Sequence, residues 1–158
     1  MKKGKSLIPA VLLMGCLTAC ASNPMTAVYN DDAKIASRSN TYNLINCEQD
    51  IEGQNYKASI EKIEGMDTVW TYEAAEDETV ELTYFVSVYS GKVKLVLIAP
   101  DDSLTVITEM TPETKSEDVQ TCMLDLQQGE NRIKIVGAEN TKVDVDLTIP
   151  KGNFCELG

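Results

Sequence analysis

From Val80 to Tyr89 the chain alternates without a break: Val80, Leu82, Tyr84, Val86 and Val88 fall on one parity, Glu81, Thr83, Phe85, Ser87 and Tyr89 on the other. A period of two belongs to the extended strand, whose successive side chains point to opposite faces, and no helix reproduces it. After Ser90-Gly91, Val93, Leu95 and Leu97 interleave with Lys92, Lys94, Val96 and Ile98. A two-residue turn there predicts a hairpin that sets Val88 against Val93, Val86 against Leu95 and Tyr84 against Leu97. The other face pairs Phe85 with Val96 and Thr83 with Ile98, so this hairpin is expected to be covered on both sides.

A second hairpin follows from the same logic, with Gly137 to Thr141 as its loop, Ile135 facing Val143 and Ile133 facing Val145. Its other parity sets Lys134 against Asp144 and Arg132 against Asp146, which reads as a solvated outer face; a charged binding strip is the alternative. Further strands are expected over Tyr56 to Ile63, Thr68 to Glu73, Leu104 to Glu109, Cys122 to Leu126 and, more weakly, Tyr42 to Cys47. No strongly amphipathic helix interrupts them. Eight or nine antiparallel strands bury their apolar parity by stacking one sheet on another. The fold class is therefore all-β, an antiparallel β-sandwich, with immunoglobulin-like and jelly-roll connectivity both open.

The N-terminus follows different rules. Lys2, Lys3 and Lys5 precede an apolar stretch from Leu7 to Leu17, and no acid occurs before Asp31. These are the basic and apolar regions of a secretory signal. Eleven residues reach roughly 16 Å as a helix against roughly 30 Å of hydrocarbon, too short for a spanning anchor. The stretch ends Leu17-Thr18-Ala19-Cys20, which resembles the lipobox of bacterial lipoproteins; Leu13-Met14-Gly15-Cys16 fits less well because Met14 is bulky. The resemblance implies a diacylglyceryl group on the Cys20 thiol, cleavage before Cys20, and a lipid anchor on the extracytoplasmic face of the cell membrane. Two acyl chains hold where one binds only reversibly.

The division expected is a signal peptide over 1–19, a lipidated flexible tether over 20–40, rich in Ser, Asn, Asp and Thr, and a β-sandwich domain over 41–158, with a soluble fragment beginning near Asn40. Signal, lipobox, polar tether and compact β domain together resemble small surface lipoproteins of Gram-positive bacteria.

Composition narrows the chemistry. The 158 residues include no histidine, which excludes serine–histidine triads, cysteine–histidine dyads and histidine-bearing zinc sites. Cleavage before Cys20 removes Lys2, Lys3 and Lys5 and no acid, taking the net charge from -11 to -14 and arguing against nucleic acid as a partner. Cys47, Cys122 and Cys155 remain. Cys122 shares its parity with Leu124 and Leu126 and reads as a small buried hydrophobe, while a Cys47 to Cys155 bridge is the disulfide expected, three reduced thiols being the alternative. Trp70 and Tyr72 share one strand parity and are the candidate glycan contacts, weighed against a core role between the sheets. The acidic runs lack calcium-loop spacing, and no cofactor or metal motif is present. The reading is a lipid-anchored, non-catalytic binding or structural domain with a protein or glycan ligand at the cell surface; a glycan-binding module of a surface complex is the alternative, and a hydrolase accessory subunit the third choice.

Overall fold

A computed structural model describes residues 24–158, so the signal peptide and the lipidation site at Cys20 lie outside the described residues. Two short helices, α1 (Pro24–Val28) and α2 (Asp32–Ala36), precede seven strands: β1 (Thr41–Glu52), β2 (Asn55–Ala74), β3 (Glu78–Ile98), β4 (Leu104–Met110), β5 (Gln120–Leu126), β6 (Gly129–Thr148) and β7 (Asn153–Phe154). Every pairing is antiparallel.

Neither expected hairpin forms. Residues 78–98 are one strand, as are 129–148, and the two pair from Thr83 opposite Thr148 to Ile98 opposite Arg132: Val86 opposes Val145, Val88 opposes Val143, Leu95 opposes Ile135 and Leu97 opposes Ile133. The segments expected as two strands over Tyr56 to Ile63 and Thr68 to Glu73 likewise merge into β2. Pairing two long strands satisfies the same apolar parities as two local hairpins, and the sequence pattern alone does not distinguish them.

Each long strand bends midway, where its register slips. The bends use left-handed backbone: Gly65 at φ 97°, Gly91 at φ 71°, and Glu139 and Asn140 at φ 64° and 55°. A Cβ on Gly65 would lie 2.1 Å from the Thr41 carbonyl oxygen, so that crossing admits only glycine. In β3 the extra residue also switches parity, so Val86 and Val88 before the bend and Val93 and Leu95 after it all enter the same core.

Bending folds the sheet over itself into a sandwich. One layer runs β1–β2–β6–β3–β5 using the halves 55–63, 143–148 and 78–88; the other runs β7–β2–β6–β3–β4 using 66–74, 129–138 and 92–98. Cut at the bends, the strands stand in jelly-roll order, one of the two connectivities left open. Between the layers lie Tyr56, Ile60, Trp70, Leu82, Val86, Leu95, Ile133 and Val145, all nearly or wholly enclosed.

The buried Thr141 hydroxyl fastens two bends together. It lies 2.6 Å from the Ala138 carbonyl oxygen and 2.7 Å from that of Lys92, and accepts from both of those residues' amides at 3.2 Å. Thr141→Val keeps the shape and strands these backbone groups. Urea unfolding should show a loss of about 2 kcal/mol or more, since each abandoned buried group costs about 1–3 kcal/mol.

The tether expected over 20–40 is corrected for all of its described part. Residues 24–38 form a strap that lies on the outer face of the second layer, burying Val28, Tyr29, Ile35 and Ala36 against Met66, Val96, Ile98, Val136 and Ala138. These apolar outer positions explain why the second half of β3 is apolar on both parities. Tyr29 sits between two lysines, with Lys92 and Lys94 Nζ each 4.8 Å from its ring centre, and donates to Glu109 Oε1 at 2.9 Å.

Lys134 and Arg132, expected on a wet face opposite Asp144 and Asp146, lie instead beneath this strap. Lys134 is completely enclosed and donates to the carbonyls of Ser37 and Ser39 at 2.7 and 2.8 Å. Arg132 donates to the carbonyls of Ala36 and Ser37 and pairs with Asp102 at 3.1 Å. The C-terminal carbonyls of α2 thus find cations where the helix end is electronegative.

Burial, with Arg132 adding to it and Asp67 opposing it, pushes the Lys134 ammonium down to about 8. The unfolded chain holds that proton up to about pH 10.4, so between pH 8 and 10 it binds more protons than the fold and stability contributed by this residue rises with pH. Partial burial pushes up the thiols of Cys47, Cys122 and Cys155, and burial the phenols of Tyr29 and Tyr56, and these act oppositely. The Lys134 contribution is therefore read as a difference. From pH 8 to 9.5, wild type should gain about 1.5 kcal/mol relative to Lys134→Met in urea melts.

Candidate binding face

The strap covers one side of the sandwich only. On the first layer's outer face, alternation places small and polar side chains, and cross-strand register arranges them in rows. One row runs Asp50, Lys57, Asp146, Phe85; the next runs Glu48, Ser59, Asp144, Ser87. They line a shallow recess of about 470 Å³ bounded by Glu48, Asp50, Lys57, Ser59, Phe85 and Asp146.

Phe85 is half-buried, its neighbours on the same face being Asp146 and Thr83. Asp144 is held from two sides: Ser59 Oγ donates to one carboxylate oxygen at 2.7 Å and Tyr89 OH to the other at 2.6 Å. Lys57 Nζ stands 3.4 Å from Asp146. At the edges of the face, Lys142 pairs with Glu61 at 2.8 Å and Thr148 donates to Asn55 at 2.8 Å. The surface thus offers oriented acceptors, a lysine donor and two rings, the half-buried Phe85 and the exposed Tyr89, all on strands and not on loops.

A recess of similar size opens at the end of the sandwich between Asp77, Glu78, Thr79, Ser103, Thr105 and Asp125. Its carboxylates are already engaged. Asp77 accepts from the Gln128 amide at 2.8 Å, and Glu78 is bound by Tyr72 OH at 2.9 Å and by Lys151, which together hold its carboxyl below the usual range. No aromatic ring lines it.

The sequence candidates lie elsewhere. Trp70 is wholly enclosed, its Nε1 donating to the Lys151 carbonyl at 2.9 Å and its ring packed on Gly152, where a Cβ would come within 2.6 Å. It is a core residue and cannot stack on a sugar. Tyr72 is half-buried beside it, rings 6.0 Å apart, with its hydroxyl committed to Glu78. Cys47 and Cys155 form no bridge, against the disulfide expected: Cys47 is on β1 opposite Ile60, and the Cys155 amide is bound to the Val69 carbonyl beyond the short β7. Cys122 is a half-buried thiol packed against the core, near its expected role.

Among the described residues, Asp67 is the carboxylate that burial pushes up. It is enclosed between the Thr68 and Gly158 amides, which partly offset the shift, and does not reach the open face. No cluster of three or more metal-ligating side chains occurs among the described residues.

Sequence reasoning missed Phe85, Ser59 and Lys57, and assigned Asp144 and Asp146 to cations that lie in the other layer. A signal was present: two aromatics, Phe85 and Tyr89, stand among Glu81, Thr83 and Ser87 on an otherwise polar parity.

No family model and no curated protein matches the chain. Among solved structures it is similar to a carbohydrate-binding module from Cellvibrio mixtus lichenase 5A in complex with cellotriose, with a TM-score of 0.41, 10% identity, and 72% of this chain and 91% of that one covered. It is also similar to a variant of a family 29 carbohydrate-binding module complexed with mannohexaose, with a TM-score of 0.39, 12% identity and coverages of 71% and 93%. An exo-beta-1,3-galactanase from Phanerochaete chrysosporium with galactose aligns at a TM-score of 0.38 and 13% identity over 70% of this chain and 29% of that one. Sandwiches of one outline carry unrelated sites, so what this face can hold follows from its own side chains.

Proposed function

We propose that the chain is a lipid-anchored, extracytoplasmic, non-catalytic module that binds a glycan on the open face of the first layer. One observation carries this reading: the two outer faces are treated oppositely, one apolar and closed by the strap, the other polar, recessed and left bare around Phe85. A pyranose presents hydroxyls around its rim and C–H groups on its flat faces. Asp144, Asp146, Ser59 and Lys57 supply acceptors and donors for the former, and Phe85 an apolar surface for the latter. Placement on paired strands keeps these groups in position before the ligand arrives, which lowers the ordering cost of binding.

Anchoring is read from the lipobox. With residues 24–38 docked on the domain, three residues separate Cys20 from Pro24, a reach of at most about 14 Å. The domain therefore rides close to the bilayer.

The anchor is tested by mass spectrometry of the purified chain: a diacylglyceryl adduct on Cys20 is expected, and Cys20→Ala should release the protein without detergent. An unmodified chain beginning at Met1 in the soluble fraction overturns it. The ligand class is tested on an array of neutral, aminated and acidic oligosaccharides. Binding to at least one class is expected, and no binding to any overturns the glycan reading.

A further inference from the structure

We propose that two copies of this chain pair edge to edge through β5, joining their first layers into one ten-stranded sheet. An open sheet edge presents unpaired N–H and C=O groups, and proteins blunt such edges with charge, bulges, prolines or brevity. Three of the four edges here are blunted. β1 carries Asn46 at φ 46° together with Glu48, Asp50 and Glu52. The register of β4 slips against β3 between Leu95 and Val96, and β7 is two residues long.

β5 carries a single charge, Asp125, and no bulge or proline. Its seven residues, Gln-Thr-Cys-Met-Leu-Asp-Leu, pair with β3 in unbroken register from Gln120 to Leu126, with one charge and no proline, lysine or left-handed residue. On or beside it stand Met123 and Val119, 59% and 63% exposed, the barest large apolar side chains among the described residues.

The occupant is a second copy because the strand is complementary to itself. Antiparallel pairing about a two-fold axis at Met123 sets Thr121 opposite Asp125 on the outer face, a hydroxyl against a carboxylate, and Cys122 opposite Leu124 on the inner face. The two exposed Met123 side chains then cover each other. Shifting the axis to Asp125 would instead bring two carboxylates together. In a chain whose net charge is -11 before cleavage and -14 after it, a strip with one acid brings two copies together with less repulsion than the β1 edge with Glu48, Asp50 and Glu52. The pairing does not depend on the glycan reading; its consequence does, namely that the two open faces lie side by side for one long polymer.

A single strand pair is a small interface, so half-association is expected at on the order of 100 µM in solution. Sedimentation velocity of the full chain in nonionic detergent should show the mass rising from one copy towards two between about 1 µM and 1 mM. Met123→Lys should hold it at one copy over that range, while Val106→Lys, on the β4 edge, should leave the rise intact. A single copy throughout overturns the proposal, as does a rise that survives Met123→Lys or is lost in Val106→Lys. Glycan binding by a chain that stays single would leave the function standing and remove the pairing alone.

Discussion

A fragment beginning at Asn40 should fail to fold stably: relative to the chain from Pro24, its melting temperature is expected to fall by more than 10 °C, with aggregation on heating. Removing the strap strips cover from Met66, Val96, Ile98, Val136 and Ala138 and exchanges the strap carbonyls that hold the Lys134 ammonium and the Arg132 guanidinium for water. Exposing several apolar side chains and losing the charged hydrogen bonds to the strap amounts to roughly 5 kcal/mol, a large share of a small domain's 5–15. Differential scanning calorimetry of the two fragments measures it. Equal melting temperatures would show that the strap is an ornament and that the layer beneath it tolerates water. Any binding assay on this protein should accordingly begin no later than Pro24.

Phe85→Ala should abolish binding on the oligosaccharide array, with affinity falling by 100-fold or more, while the melting temperature moves by no more than a few degrees. Phe85 is half-buried and projects away from the core, so its loss removes the apolar surface of the recess and little of what holds the layers together. Trp70→Ala provides the contrast. Trp70 is fully enclosed, so truncating it should cost about 3–5 kcal/mol of stability at any ligand concentration. Retained binding in Phe85→Ala would move the site off this face.

The local content of the fold was readable from the residues. Leu104 to Glu109 and Cys122 to Leu126 are strands almost to the residue, and the parities of Val80 to Val88 and Ile133 to Leu147 are the parities that enter the core. Long-range pairing was not readable. Val88 can be set against Val93 or against Val143 with the same chemistry, and only the three-dimensional contest among all strands decides for the latter. The strap was illegible for a related reason. Val28, Tyr29, Ile35 and Ala36 are too few and too scattered among polar residues to announce a buried segment, and the face awaiting them is assembled from three different strands. Read as a tether, residues 24–38 give Lys134 and Arg132 no reason to be dry, and charge pairing with Asp144 and Asp146 offers itself. That misassignment hid the candidate site, because the freed aspartates are what flank Phe85.

Amide hydrogen exchange of the full chain, with and without a saturating oligosaccharide chosen from the array, tests most directly that the bare layer is the working face. Slower exchange is predicted in segments 55–61, 83–89 and 142–148, whose outer side chains line the recess, with 24–38 unchanged. Protection confined to the strap, or to the cleft around Asp77 and Asp125, would contradict the account.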